Sequence, residues 1–312
     1  MIKYIIKRLL LMIPVIMGIS FIVFSIMSLT PGSPAKIILG DLASRESIEK
    51  LNEELGFNRP FLVRYFDYVR NALQGNFGRS YRTGLPVMNE IAQRFPTTIK
   101  LAFYSVLFST IVGIPIGIVS AVRQYSIIDS VSTILALVFI SIPSFWLGLM
   151  LMLFFALRLG WFPTFGSDSP IHFVLPALTT CASTFATLIR MTRSTMLEVI
   201  RQDYVRTARA KGAAERRVIV KHCLRNALIP IVTVIGVSFG YMLGGAIIAE
   251  SVFGLSGIGQ LMLNAVRMKD VPIVMATVLI LAIVFSIINL LLDIIYSFID
   301  PRVKSQYQTE PL

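Results

Sequence analysis

Six stretches of this chain, residues 9–29, 97–122, 130–157, 171–189, 228–249 and 271–299, are apolar over lengths that few folds can bury in water. A bilayer core takes about 20 apolar residues of helix, because every backbone N–H and C=O must be satisfied within the segment. The composition agrees. Of 312 residues, 55% are hydrophobic and 15% charged, against roughly 45 to 50% and about 25% in soluble domains. The expected architecture is therefore an all-α integral membrane protein with six transmembrane helices.

Lys3, Lys7 and Arg8 look like the charged start of a secretion signal, but the run at 9–29 exceeds the roughly 7 to 15 residues of a signal core. It reads as a retained first span. Pro143 in the third run and Pro176 in the fourth predict kinks, and the second holds Gly113, Pro115 and Gly117 close together.

Orientation follows from Lys and Arg in the short loops. Placing the N-terminus inside puts Lys3, Lys7, Arg8, Arg123, Arg302, Lys304 and a basic cluster at 190–225 on the cytoplasmic side. The short outer loops then hold only Arg158, Arg267 and Lys269, so the positive-inside rule predicts N-in and C-in. A net charge of +12 would point to nucleic acid in a soluble protein; here its placement assigns it to topology, docking and lipid, and no nucleic acid is expected.

Between the first two spans lies a long polar segment with a helix predicted over 47–55 and aromatics at Phe57, Phe61, Tyr65, Phe66 and Tyr68. It is expected to form a small extracytoplasmic domain, a packed cap or a docking element. The divisions are 1–30 for the first span, 31–94 for that domain, 95–301 for the core and 302–312 for a cytoplasmic tail.

Catalysis has no foothold in the sequence. No Gly-rich phosphate loop with its Lys is present, His172 and His222 are isolated, and no carboxylate pair sits mid-span. Cys181 and Cys223 read as small buried side chains. Energy for uphill transport would have to come from another polypeptide or an ion gradient.

The loop at 190–226 mixes positive charge with small residues. Tyr204, Arg206, Thr207, Ala208, Arg209, Ala210, Lys211 and Gly212 form its centre. Small side chains let a short helix enter a groove on another protein while the basic groups pair with acids around it. A basic loop that only sets topology and touches anionic lipid is the plainer reading.

The Arg-Thr-Ala-Arg-Ala-Lys-Gly run at 206–212, followed by Leu-Arg-Asn-Ala-Leu-Ile-Pro at 224–230, resembles the EAA loop of binding-protein-dependent ABC importer permeases. It is similar more narrowly to their dipeptide and oligopeptide branch, with Arg206 where a Glu usually stands. The Leu-Thr-Pro-Gly-Ser-Pro run at 29–34, Gly-Asn-Phe-Gly-Arg-Ser at 75–80 and Glu-Ser-Val-Phe-Gly-Leu-Ser-Gly-Ile-Gly at 250–259 extend the resemblance along most of the chain.

The resemblance implies a type I ABC importer permease fold in a bacterial cytoplasmic membrane, with the loop as the helix that couples to an ATPase. Its implied partners are a second homologous permease, two ABC ATPase subunits and an extracytoplasmic solute-binding protein. ATP and Mg would be bound by the ATPases, and no cofactor by this chain. Dipeptides, longer peptides, glutathione and nickel chelates are all carried within the branch. The competing classes are an ion-coupled secondary transporter and a non-transporting scaffold.

Within the membrane, Gly236, Gly240 and Gly244 mark a groove on the fifth span that suits intrachain packing or a partner permease. Thr179, Thr180, Ser183, Thr184 and Thr187 give the fourth span hydroxyls that suit a pathway lining. Of these, Thr180, Thr184, Gly240 and Gly244 are the candidate pathway residues. Glu250 is a candidate outer gate residue, and Asp293 is expected to pair at the inner interface.

Overall fold

The computed structural model describes residues 2–29, 32–40 and 42–299; Arg302, Lys304 and the tail at 302–312 lie outside them. The described residues are helical, with a single isolated bridge between Arg79 and Pro86. Among the described residues, five helices are long and apolar enough to cross a membrane, or six if one sharply bent pair is counted as a span.

The first long helix, α1, runs Ile2–Leu29. Its apolar side chains stay largely uncovered, Leu10 and Ile22 each at 58% exposure, as lipid-facing positions must be. It lies along the last helix, α14 (Val271–Ile299). Near one end of the pair Arg8 meets Asp293 at 2.8 Å, the pairing expected for that acid.

Three short helices follow: α2 (Pro34–Leu39), α3 (Arg45–Glu54) and α4 (Phe61–Leu73). Ser33 and Ser44 cap α2 and α3 by accepting from Lys36 N and Ser47 N, which satisfies amides that have no partner within the helix. The α4 helix packs on α1: Tyr65 donates to Met17 O at 3.2 Å and shares a 2.9 Å bond with Ser20. Behind them Phe24, Tyr65 and Met275 form a small buried cluster.

The second long helix, α5, is 36 residues, Val87–Val122. It starts ten residues before the predicted apolar run, so residues 87–94 belong to the same rod. Pro96 and Pro115 lie inside it without breaking it. Gly113 and Gly117 serve packing here. A Cβ on Gly117 would sit 2.6 Å from Thr192 Cβ and 2.8 Å from Ile189 O, so only glycine lets α5 and α8 (Val174–Ile200) approach along this line.

The third apolar run is not straight. Helix α6 (Ile127–Ser141) ends at Ile142, whose ψ of 125° is extended, and α7 (Ser144–Leu151) leaves at 101° after Pro143 before widening into a π-helical segment, Met152–Arg158. Proline drives its predecessor out of the helical region and lacks the N–H the ladder needs. Pro176 behaves differently. A 3-10 turn, Pro170–Phe173, leads into α8, so Pro176 sits in the first helical turn, and α8 continues unbroken to Ile200. A first-turn amide has no helical partner to lose, hence the expected kink is absent.

After α8 come α9 (Asp203–Ala210), α10 (Glu215–Arg217) with a π-helical continuation Val218–Leu224, and α11 (Arg225–Gly245). Two short helices, α12 (Ile247–Val252) and α13 (Ile258–Arg267), lead into α14.

Candidate coupling helix and the clamp at the opposite end

Helix α9 buries one side chain. Val205 is fully covered, packed in a cluster with Ala121 of α5, Met196 of α8 and Val218, Cys223 and Ala227. Ala208, one turn on, is half-buried against the same cluster. Tyr204, Arg206, Thr207, Arg209, Ala210, Lys211 and Gly212 are exposed. Of the eight centre residues, then, Ala208 faces the chain itself and the others lie on the open side.

The end of α9 is fixed by backbone geometry. Gly212 has φ +77°, with its N–H donating to Arg209 O at 2.9 Å, while Ala213 N donates to Ala208 O at 3.3 Å. Paired bonds of this kind close a helix over a left-handed residue, the conformation glycine adopts without penalty. Just beyond, Glu215 accepts from Arg209 Nη2 at 2.7 Å and Nε at 3.1 Å. This contact raises the affinity of Arg209 for its proton and holds the Glu215 carboxyl ionised, bracing α9 against α10. Arg206 reaches Asp203 only at 3.9 Å with both side chains exposed, so it stays available to a partner.

Beside this surface, three helices meet at Asp129 in the first turn of α6. Arg193 of α8 donates to it through Nε at 2.6 Å and Nη2 at 2.9 Å, Ser120 of α5 donates at 2.5 Å, and Tyr125 N at 3.0 Å. Tyr125 holds φ +65° in the link between α5 and α6. The sequence reading missed this cluster, because Asp129 and Arg193 fall in different stretches and neither stands in a motif. The available signal was an acid at the start of an apolar run and a base on the polar end of another.

At the opposite end of α11, Glu250 is completely buried. Its Oε1 accepts from Thr98 Oγ1 of α5 at 2.6 Å and its Oε2 from Gln260 N at 2.8 Å, while Ile258 N donates to Thr98 Oγ1 at 2.8 Å. One carboxyl group thus joins α12, the start of α13 and α5. A Cβ on Gly257 would collide with that carboxyl, which accounts for glycine in the turn. Thr98 is a further residue the sequence reading did not single out.

The remaining candidates separate. Thr180 returns its hydroxyl to Pro176 O at 2.9 Å and is half-covered, whereas Thr184 is buried. Gly240 faces the last helix, where a Cβ would stand 2.6 Å from the Phe285 ring, and Gly236 meets Leu292. Gly244 is exposed, with nothing within 4 Å of its Cβ position. Cys181 and Cys223 are free and buried.

A further anchor ties the segment between α1 and α5 to the rest. Asp270, buried where α13 turns into α14, accepts from Ser80 Oγ at 2.5 Å and Tyr81 N at 3.2 Å. Burial, reinforced by this carboxylate, pushes the Tyr81 hydroxyl up to about 12.

Comparison with known proteins places this arrangement. Residues 113–305 match the family described as "Binding-protein-dependent transport system inner membrane component", and residues 1–102 match its N-terminal region. The chain is 42% identical to the dipeptide transport system permease protein DppB of Alkalihalophilus pseudofirmus, covering 97% of this chain and 100% of that protein. It is 41% identical to the glutathione transport system permease protein GsiC of Escherichia coli, covering 97% and 99%. Among solved structures, an inward-facing MetNI methionine ABC transporter chain superimposes with a TM-score of 0.55 at 20% identity, over 68% of this chain and 97% of that one. With both halves matched and the relatives aligned end to end, this chain is a member of the binding-protein-dependent transport system inner membrane component family.

Proposed function

We propose that this chain is a permease subunit of an ATP-binding-cassette importer that moves di- or oligopeptides across a bacterial cytoplasmic membrane. The observation that carries the reading is α9, a short helix seated on the core through Val205 and Ala208 with Tyr204, Arg206, Thr207, Arg209, Ala210, Lys211 and Gly212 turned outward. Such a helix suits insertion into a cleft of a soluble subunit. The relatives at 42% and 41% identity are named for dipeptide and glutathione transport. Glutathione is itself a small peptide, so it is the second substrate reading.

In this proposal the N- and C-termini and α9 are cytoplasmic, residues 31–94 are extracytoplasmic, and 95–301 form the transport core. The working complex pairs this chain with a second permease, two ATPases that bind ATP and Mg, and an external solute-binding protein. ATP-driven closure of the ATPases would draw the α9 helices together. The cluster of Ala121, Met196 and Val205 then passes the displacement to α5 and α8, and the Asp129 contact extends it to α6. Of the candidate pathway residues, Thr180 and Gly244 keep an open side and are assigned to the pathway, and Glu250 to a clamp at its outer gate, while Gly240 is taken up by packing on Phe285 and Thr184 is buried within the chain.

Reconstitution tests the reading. Alone in liposomes the chain should move no solute, with or without an ion gradient. With its partners it should accumulate a di- or tripeptide only when ATP is supplied on the cytoplasmic side. Gradient-driven uptake by the single chain would overturn the importer reading in favour of a secondary transporter.

A further inference from the structure

A cleft of about 980 Å³ lies between α1, α4, the loop at 76–84 and the first turns of α14. Two of its lining groups lack the partners their chemistry calls for. Arg64 of α4 is half-buried, its guanidinium 4.4 Å from the Phe57 ring centre and 5.7 Å from that of Phe24. Among the described residues it makes no hydrogen bond or ion pair, and burial pulls its pKa below the ordinary guanidinium value. A partly desolvated cation is normally paired. The Tyr68 hydroxyl, one helical turn further on, is buried with no hydrogen-bond partner, an arrangement that native proteins rarely leave unfilled. Asp67, the acid between them, is engaged by Arg59 at 3.2 Å.

Both groups call for an anion with acceptor oxygens, and the position of the cleft says where that anion comes from. Arg64 faces Phe24, Met27 and Ser28 in the last two turns of α1, with Gly32 and Lys269 beyond them, so its guanidinium lies at the outer end of the span. On α4, Leu62 and Phe66 stand four residues apart with 57% and 63% of their surfaces exposed. With Arg64 on the opposite side of the helix, toward the cleft, apolar side chains and a cation are presented at one level, as a headgroup layer requires. The lining on the α1 and α14 side is apolar, from Phe24, Val271 and Met275. A phospholipid offers at that depth both the phosphate for Arg64 and Tyr68 and the acyl carbons for that side.

We propose that the cleft between α4, α1 and the start of α14 is a binding site for an anionic membrane phospholipid, its phosphate held by Arg64 and Tyr68. The site rests on the orientation given above for its placement in the outer leaflet. Lipid retention is read without any transport step, so its failure and that of the importer reading are separable.

The test is native mass spectrometry of the assembled detergent-solubilised complex titrated with phosphatidylglycerol, with diacylglycerol and inorganic phosphate as separate arms. Wild type should retain phosphatidylglycerol and not diacylglycerol, and equimolar inorganic phosphate should not displace it. Arg64→Gln should weaken retention about tenfold and Tyr68→Phe about fivefold, the ratios expected for a charge-assisted and a neutral hydrogen bond. Tyr68→Phe keeps the ring against Phe24, so it remains informative if Arg64→Gln does not assemble. Equal retention by wild type and Tyr68→Phe would overturn the proposal. So would displacement by inorganic phosphate, or loss of solute-binding-protein association in Arg64→Gln under lipid-free conditions, which would assign the cleft to an acidic loop of that protein.

Discussion

Arg193 grips Asp129 at two points, Nε on Oδ1 at 2.6 Å and Nη2 on Oδ2 at 2.9 Å, and so ties α8 to the first turn of the bent α6–α7 pair. The Asp129 side chain is 6% exposed and that of Arg193 28%, so removing one partner strands a charge that is largely desolvated. Asp129→Leu should lower stability by about 2 to 4 kcal/mol, somewhat below the range for fully buried pairs because Arg193 retains some water. The apolar double replacement, Asp129→Leu with Arg193→Met, should recover most of that loss. Thermal unfolding of the four members of the cycle measures it, and strictly additive losses would refute the pairing.

The Glu250 contacts lead to an ordered series. Glu250→Ala leaves the Thr98 hydroxyl and the Gln260 amide without their acceptor, at about 1 to 3 kcal/mol for each unmet group. Glu250→Gln keeps the shape and one acceptor, so it should cost less. Gly257→Ala should be at least as damaging as Glu250→Ala, since its methyl group enters the space of the carboxyl. Unfolding midpoints of the three proteins check the order, and a neutral Gly257→Ala would contradict the described turn.

Docking and helix termination are separable at α9. Gly212 has open space where a Cβ would point but a φ of +77°, so Gly212→Ala should cost about 1 kcal/mol through the backbone alone. Ala210 is exposed within the helix, so Ala210→Trp should leave the unfolding midpoint unchanged. In the assembled complex it should cut solute-stimulated ATP hydrolysis by about tenfold, equivalent to roughly 1.4 kcal/mol of docking energy. Undiminished stimulation in Ala210→Trp would remove α9 from the ATPase interface.

Topology has a direct readout. Ser47 and Gln74 are exposed, while the two native cysteines are buried and give little background. Ser47→Cys and Gln74→Cys should be labelled by an impermeant thiol reagent added outside intact cells. Labelling only after the membrane is opened would reverse the proposed orientation.

The long helices were legible in the sequence because lipid demands an uninterrupted apolar run, and hydropathy is counted residue by residue. The angle at Pro143 was not. A proline announces an interruption, but a 101° turn depends on what receives α7, here Thr179, Val252 and Phe253 around Gly148. The same residue type misled at Pro176, where the preceding 3-10 turn moved the helix start to Val174. Small residues around Ala208 foretold a short helix, but only the fold shows that Ala208 turns inward while Ala210 turns out. Partners far apart in the chain, Asp129 with Arg193 or Ser80 with Asp270, leave no local pattern to read. The aromatics of α4 divided likewise: Tyr65 is buried, and Phe66 is open.

At 1.5 Å per residue the 36 residues of α5 span about 54 Å, well beyond the roughly 30 Å of a bilayer core. A rod that overhangs its medium behaves as a lever. If α5 pivots by about 10° near its midpoint, each tip swings by about 5 Å, close to the rise of one helical turn. One arm carries Glu90, held to Thr83 at 2.5 Å, and the other carries Ser120, held to Asp129. A rotation about the midpoint therefore moves the segment next to α1 and the start of α6 in opposite directions.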